Sequence, residues 1–73
     1  MKYTVYIQGY NEDYEVNDYE DEIATFEGKS EAEWFATHYP FQMPLLTPHA
    51  NIVVEERDND GEFVDVILEN ELK

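Results

Sequence analysis

The fold of this chain is decided by one stretch, which reads Ile52-Val53-Val54-Glu55-Glu56-Arg57-Asp58-Asn59-Asp60-Gly61-Glu62-Phe63-Val64-Asp65-Val66-Ile67-Leu68. Two runs rich in β-branched residues flank the sequence Asn-Asp-Gly. β-Branched residues favour strands, and Asn, Asp and Gly favour tight turns. The stretch therefore predicts a β-hairpin whose turn lies at residues 59–61.

Two turn lengths fit this hairpin, and they give different registers. A two-residue loop of Asp60 and Gly61 pairs Asp58 with Phe63 and mixes polar and apolar side chains on one face. A three-residue loop pairs Asp58 with Glu62 and lets Gly61 take the left-handed conformation that such loops need. One face of the hairpin is then wholly apolar, and we predict this register. The residues of that face are Ile52, Val54, Val66 and Leu68.

The predicted register places acidic residues opposite one another. Glu55 lies opposite Asp65, and Glu62 lies opposite Asp58. The one compensating cation is Arg57, which can form a cation–π contact with its cross-strand neighbour Phe63. Like charges opposed across a strand pair are destabilising. A sequence selected for stability alone would not normally have this pattern. The pattern therefore indicates that the acidic residues serve a function.

Two further strands are predicted upstream of the hairpin. Tyr3 to Tyr10 alternates with the period of two that is typical of a strand. Asn11 to Glu22 is predicted to be a long acidic connection, since Asn11 and an Asn-Asp pair favour turns. Ile23 to Glu27 is the predicted second strand, antiparallel to the first.

A short helix is predicted between the two strand pairs. Ser30 and Glu33 have the spacing of a capping box, in which each side chain bonds a free backbone N–H at the helix start. Pro40 ends the helix. One apolar stripe follows the helical period and predicts packing on the sheet. Its residues are Ala32, Phe35, Ala36 and Tyr39.

The segment from Phe41 to Ala50 contains regularly spaced prolines and large apolar residues. Prolines exclude a central strand, and the apolar residues argue against a solvated loop. We predict a crossover laid over the edge of the core. Trp34 lies off the apolar stripe. It either packs beneath this crossover, near Met43 or Leu45, or is an exposed anchor for a partner or for a second copy of the chain.

Together these elements predict an α+β fold in the order β-β-α-β-β, with a four-stranded antiparallel sheet and one helix packed on one face. Residues 1–73 form a single acidic domain. Hydrophobic residues make up 42% of the chain and aromatic residues 15%, which is too apolar for a disordered acidic tail. No cysteine is present, so disulfides and thiolate metal sites are excluded.

The charge of the chain is its most unusual property. Asp and Glu number 18 against 4 Lys and Arg, and the formal net charge is -14. Duplex DNA carries one charge per roughly 1.7 Å of axis, so fourteen charges match about 24 Å, or about seven base pairs. A solvated surface that keeps the protein soluble is the alternative explanation, although solubility needs a net charge of only about 2–8.

Two acidic clusters are the predicted partner-binding surface: Glu12 to Glu22, and Glu55 to Asp65 with Glu69 and Glu71. Alternate residues of a strand lie about 6.6 Å apart on one face, so their carboxylates could imitate a row of phosphates. Tyrosines within the first cluster either contact the partner, where rings among acids suit arginine, or hold the acidic segment against the core. The predicted binding residues are Glu12, Asp13, Tyr14, Glu15, Asp18, Tyr19, Glu20, Asp21, Glu22, Glu55, Asp58, Asp60, Glu62 and Asp65.

Other chemistry finds little support in the sequence. The Glu56 to Gly61 segment fits the first half of a calcium-binding loop, but Ile67 occupies the position where that loop needs Glu. His38 and His49 lack metal-binding spacing, and Ser30, the one serine, is assigned to the helix cap. We therefore expect no cofactor, no metal and no enzymatic activity.

Phages and mobile elements use small acidic proteins to block restriction, CRISPR or repair enzymes, and this chain resembles them in size and charge. The net charge and the opposed acids, together with this likeness, predict a DNA mimic that inhibits or modulates a basic nucleic-acid-binding protein without binding nucleic acid itself. The alternative is an acidic adaptor or antitoxin-like protein that covers a basic partner without imitating DNA. No apolar run reaches signal-peptide or membrane-spanning length, so we expect a cytoplasmic protein, as a monomer or small homo-oligomer.

Overall fold

A computed structural model describes residues 1–13, 15–39 and 49–72, with the backbone alone for residues 16–19. The sheet order is β2-β1-β3-β4, and every neighbouring pair is antiparallel. This arrangement confirms the predicted α+β fold and its β-β-α-β-β order. The elements are β1 (Lys2–Tyr10), β2 (Val16–Phe26), α1 (Lys29–Thr37), β3 (His49–Arg57) and β4 (Phe63–Leu72).

The core lies between α1 and the two central strands. Val5 of β1 and Val54 of β3 are cross-strand partners, and both side chains are completely buried. Ala32 and Ala36 of α1 are buried against them, because their small side chains let the helix approach the sheet closely. Burial of this apolar face is the main stabilisation of a helix too short to be stable alone.

The predicted apolar stripe of α1 is confirmed. Phe35 packs between Phe26 of β2 and Tyr39, with ring centroids 5.3 Å and 5.6 Å away. Both distances lie in the range of favourable aromatic pairs. These rings therefore extend the core towards the β2 edge of the sheet.

The helix starts earlier than predicted, and the capping-box prediction is wrong. Gly28 is the N-cap, it makes no side-chain cap hydrogen bond, and its carbonyl accepts the first helical bond from the N–H of Ala32 at 3.2 Å. Ser30 thus lies inside the first turn. Glu33 does not reach back to a cap, because its carboxylate lies 3.9 Å from the Lys29 ammonium.

The prediction of a long acidic connection is also wrong, because β2 begins at Val16 rather than Ile23. The connection is a short turn that Asn11 closes. Its Oδ1 accepts the N–H groups of Asp13 and Glu15 at 2.9 Å and 3.0 Å, and its own N–H donates to the carbonyl of Glu15 at 3.0 Å. This turn brings the acidic segment into register with β1, so it pairs as an edge strand.

The turn of the β3–β4 hairpin is the predicted three-residue loop. Gly61 has a φ of 82°, in the left-handed region. The N–H of Asp58 donates to the carbonyl of Glu62 at 3.0 Å, and Arg57 lies opposite Phe63. Local turn chemistry therefore determines the closed end of this hairpin.

Beyond that end, two bulges in β4 overturn the predicted register. Val64 and Ile67 have no partner in β3, so Asp65 lies opposite Glu56 and not Glu55, and Leu68 lies opposite Val54. Each unpaired residue reverses the alternation of faces. A strand with two of them cannot keep one apolar face along its length.

The bulges change which residues of β4 enter the core. Val66, predicted to be buried, is 39% exposed and lies opposite Glu55. Ile67 and Leu68 are partly buried against the core instead. The core prediction is confirmed for Ile52, Val54 and Leu68. It is wrong for Val66.

The predicted crossover falls mostly on residues 40–48, which lie outside the described residues, as do Met43 and Leu45, the predicted neighbours of Trp34. Its last two residues, His49 and Ala50, are the first residues of β3. In the described part of the chain the one helix is α1, whose 9 residues are too few to span a bilayer.

Candidate functional site: an acidic sheet face

The sheet face opposite α1 is not covered by the helix, and we call it the open face. Tyr3 and Val5 of β1 pack with α1, so the alternate residues Thr4, Tyr6 and Gln8 point to the open face. The same alternation and the cross-strand pairing place the other residues of this face. It is built by all four strands.

Two rows of carboxylates border the open face. Glu20 and Glu22 lie on the edge strand β2, and Glu69 and Glu71 lie on the edge strand β4. All four side chains are exposed. Three strand spacings separate the two edges, which is about 14 Å. We call these four residues the acidic rows.

A neutral strip lies between the acidic rows. Cross-strand pairing places Tyr6 and Val53 between Glu22 and Glu69, and Gln8 and Asn51 between Glu20 and Glu71. Tyr6 and Val53 are buried, although no helix among the described residues lies on this face. The centre of the open face is therefore packed and neutral, and its charge is concentrated at the two edges.

Hydrogen bonds hold two members of the rows in place. The amide of Asn51 donates to Oε1 of Glu69 at 3.2 Å, and the hydroxyl of Thr25 donates to Oε1 of Glu22 at 3.1 Å. Neither bond neutralises the carboxylate, since both donors are uncharged. Neither hydrogen bond therefore cancels the charge of its Glu, while each restricts the orientation of the side chain.

Glu55, in contrast, is compensated within the protein. Its Oε2 accepts the hydroxyl of Tyr6 at 2.9 Å, and its Oε1 lies 2.6 Å from the Arg57 guanidinium. Arg57 also donates to the carbonyl of Gly61 at 3.0 Å. The pKa of Arg57 is raised mainly by its hydrogen bond to Glu55, and the negative charge of Glu55 raises it further. Glu55 thus organises the open face rather than projecting a free charge.

A shallow concavity of about 490 Å³ lies between this ion pair and the β2 row. Tyr6 and Glu55 line one side of it, and Glu20 and Glu22 line the other. The Lys2 side chain also contributes to the lining. Arg57 lines it as well, so three carboxylates exceed two cations by one, and this excess suits one cationic side chain of a partner.

Burial raises the pKa of Tyr6, and the hydrogen bond to Glu55 raises it further. The pKa of Tyr3 is raised mainly by its 2.9 Å hydrogen bond to Glu56, and that of Tyr10 mainly by burial. An ionised phenol would be desolvated and repelled by the neighbouring carboxylate. The folded state therefore holds these phenol protons more tightly than the unfolded chain does.

We expect the protein to lose stability above about pH 10, the ordinary pKa of tyrosine. Below that pH both states keep the phenol protons and stability is full; above it the unfolded chain releases them first, so the free energy of unfolding falls as pH rises. Tyr6→Phe should cost about 1–3 kcal/mol at neutral pH through the lost bond to Glu55. It should also flatten the alkaline decline in urea unfolding from pH 7 to 11. Identical slopes for variant and parent would contradict the role of Tyr6.

The structure does not gather all the predicted binding residues into one surface. Asp58 builds the hairpin turn, because its Oδ1 accepts the N–H groups of Asp60 and Glu62 at 2.9 Å and 3.0 Å. Asp60 and Glu62 are exposed at the tip. Asp65 is exposed opposite Glu56, so the opposed acids are this pair and not Glu55 with Asp65.

The first acidic cluster is likewise divided. Glu12, Asp13 and Glu15 are exposed in the β1–β2 turn, and Asp21 is exposed opposite Ile7, whose side chain points away from the open face. Glu20 and Glu22 of this cluster belong to the acidic rows. Asp18 and Tyr19 lie in β2 with undescribed side chains, and Tyr14 lies outside the described residues.

Glu69 and Glu71 belong to the site. The sequence placed them with the second acidic cluster, although neither was among the predicted binding residues. Their signal in the sequence is an alternation around Asn70, with a period of two that puts both carboxylates on one face. Their position opposite the β2 row depends on sheet order, which local sequence does not reveal.

One end of the open face is apolar. Phe63 is 54% exposed beside Arg57, and Val66 is exposed beside Glu55, with Val64 exposed at the bulge between them. We call these three residues the apolar corner. Exposed apolar clusters of this kind are typical of protein interfaces.

Within residues 1–13, 15–39 and 49–72, no group of three or more His, Asp or Glu side chains could hold a metal ion. Comparison of the sequence with protein-family models and with curated proteins, and of the fold with solved structures, gives no match.

Proposed function

We propose that this protein is a non-catalytic inhibitor or modulator of a nucleic-acid-binding protein and that it acts as a DNA mimic. Its acidic rows occupy the positions that phosphates occupy when the target binds DNA. The target is a basic protein such as a restriction nuclease, a CRISPR effector or a repair enzyme, as expected for antirestriction and anti-CRISPR proteins of phages and mobile elements.

The arrangement of the acidic rows carries this proposal. B-DNA presents two charged backbones on either side of a major groove about 12 Å wide. The acidic rows lie about 14 Å apart on either side of a neutral strip. Most contacts between proteins and DNA go to the backbone and set the position of the protein on the duplex. A target that uses cations on both sides of a groove can therefore engage both rows at once.

The charge density of the whole molecule supports the same function. The longest axis of the protein is 35 Å, and the net charge is -14, which is one charge per about 2.5 Å against one per about 1.7 Å in duplex DNA. A field of this strength accelerates association with a basic protein and repels DNA.

The apolar corner favours a second candidate function, which is the covering of a basic partner without DNA mimicry. Phe63 and Val66 offer contacts that a DNA backbone does not. An acidic adaptor or antitoxin-like protein would use such contacts as its main anchor, with the charges serving only to attract the partner.

Competition with DNA distinguishes the two functions. A tagged copy of the protein is used to isolate its partner from a lysate, and the partner is then bound to a fluorescein-labelled duplex. We expect the acidic protein to displace the duplex from one site, with an affinity that falls steeply with added salt. It should not bind the duplex itself. A stable ternary complex of partner, duplex and acidic protein would overturn mimicry and favour the adaptor.

A further inference from the structure

A second surface lies on the other side of the sheet, between α1 and the β2 edge. It is a groove of about 420 Å³ lined by Phe26, Ser30, Glu31, Trp34 and Phe35. We call it the Trp34 groove. Three aromatic rings form most of its wall, so it is apolar at its floor and polar only where Ser30 and Glu31 meet solvent.

Trp34 is held in position but remains exposed. Its indole stacks on the imidazole of His38 with centroids 4.4 Å apart and planes inclined by 18°. His38 is itself fixed, since its N–H donates to the Trp34 carbonyl at 3.0 Å and its Nδ1 lies 2.9 Å from the same oxygen. One face of the indole is thus covered, yet Trp34 is 63% exposed. The other face remains open to a ligand.

Glu31 lies one helical turn before Trp34 and is exposed. Its carboxylate sits over Gly28, where an added Cβ would lie 3.0 Å from Oε1. The nearby Lys29 pairs with Glu33 instead. Within the described part of the chain, the Glu31 carboxylate therefore has no cationic side chain as a partner. It borders the groove in the first turn of α1, where the helix dipole compensates only part of its charge.

From this arrangement we infer that the Trp34 groove binds an arginine side chain that is flanked by apolar residues in a segment of a partner protein. A guanidinium stacks on an indole and pairs with a carboxylate in one geometry, whereas a lysine ammonium is a point charge that does not stack. The apolar floor that Phe26 and Phe35 form accepts the flanking residues.

The charge of the protein determines which occupants fit. A second copy of this chain would bring -14 against -14, and an anionic ligand would meet the same repulsion. A cationic and partly apolar segment is attracted to the same site. The groove lies on the sheet face opposite the acidic rows, so its ligand does not depend on the DNA mimicry proposed above.

The probe for this site is the capped peptide Ac-Ser-Leu-Arg-Leu-Ser-NH₂. Trp34 is the one tryptophan of the chain, so its fluorescence reports on the groove directly. We expect saturable binding, a blue shift of the emission and protection from acrylamide. Citrulline in place of Arg should weaken binding at least about fivefold through loss of charge. Serine in place of both Leu residues should weaken it similarly at unchanged charge.

Two helix variants with equal net charge provide the matched comparison. Glu31→Gln should weaken binding of the peptide at least about threefold, as expected for one charge-assisted hydrogen bond, while Glu33→Gln should leave it unchanged. Chemical shift changes in ¹⁵N spectra should cluster at the groove. Equal affinity of the serine peptide, equal effects of the two variants, or shift changes on the open face would each overturn the inference in favour of general charge attraction.

Discussion

Val54→Asp should abolish cooperative unfolding, whereas Val66→Asp should leave a sharp thermal transition. Val54 is fully buried under α1, so a charge there would be desolvated without a partner, at a cost above about 4 kcal/mol. Domains have stabilities of about 0.05–0.15 kcal/mol per residue, which is about 4–11 kcal/mol for 73 residues. The substitution therefore removes a large part of the stability of the fold, and all of it at the lower end of this range.

Val66 lies on the same hairpin but points to solvent beside Glu55. An acid there meets water and one neighbouring carboxylate, so the cost should stay within about 1 kcal/mol. Circular dichroism melts of the two variants at one salt concentration make the comparison. If the hairpin had no bulges, Val66 would be buried and both variants would unfold. Loss of the transition in Val66→Asp would therefore contradict the observed register.

The contrast between these two valines marks the limit of prediction from the sequence. The turn at Asn59–Gly61 was predictable, because its residues determine local backbone conformation by themselves. The bulges at Val64 and Ile67 were not, because they depend on tertiary packing. They place Ile67 and Leu68 against the core, and they put Val66, not Asp65, opposite Glu55.

The boundary of β2 shows the same limit in another form. Acidic residues are rare in strands, so the segment before Ile23 resembled a loop. An edge strand with one face in solvent tolerates them, and the Asn11 turn sets their register with β1. The charge of the acidic rows was therefore predictable, but their pairing across the sheet required the strand order.

The helix shows which local signals predict correctly and which do not. The apolar stripe depends on a period of 3.6 residues and was confirmed. The cap depends on which side chain reaches which N–H, and Lys29 draws Glu33 away from that role. Trp34 had two predicted positions, and its exposure is consistent with the one that leaves it available as an anchor.

Neutralising the acidic rows should separate stability from function. The variant carries Gln at positions 20, 22, 69 and 71, so its net charge falls from -14 to -10. Gln keeps an amide oxygen that can accept the hydrogen bonds from Thr25 and Asn51, so the open face should stay intact. The melting temperature at low salt should rise because like charges no longer repel along each edge, and added salt should stabilise the variant less than the parent.

Affinity for the target should change in the opposite direction. Exposed ion pairs contribute about 0.2–1 kcal/mol each, so loss of four of them, about 0.8–4 kcal/mol in total, should weaken binding by about fourfold or more. Part of the lost affinity should appear as a slower association rate, because removal of four negative charges weakens electrostatic steering. Displacement of labelled DNA from the target should weaken by the same factor, if the acidic rows occupy the positions of phosphates.

A control with the same net charge decides whether geometry or total charge matters. It neutralises four exposed acids away from the rows, which are Glu12, Asp13, Glu15 and Glu27. If the acidic rows imitate the two DNA backbones, this control should bind within about threefold of the parent, because it loses only long-range attraction. Equal weakening in both variants would show that the target recognises net charge and not the separation of about 14 Å between the two acidic rows. Parent-like binding by the row variant would exclude the open face as the binding surface and leave the apolar corner or the Trp34 groove as the anchor.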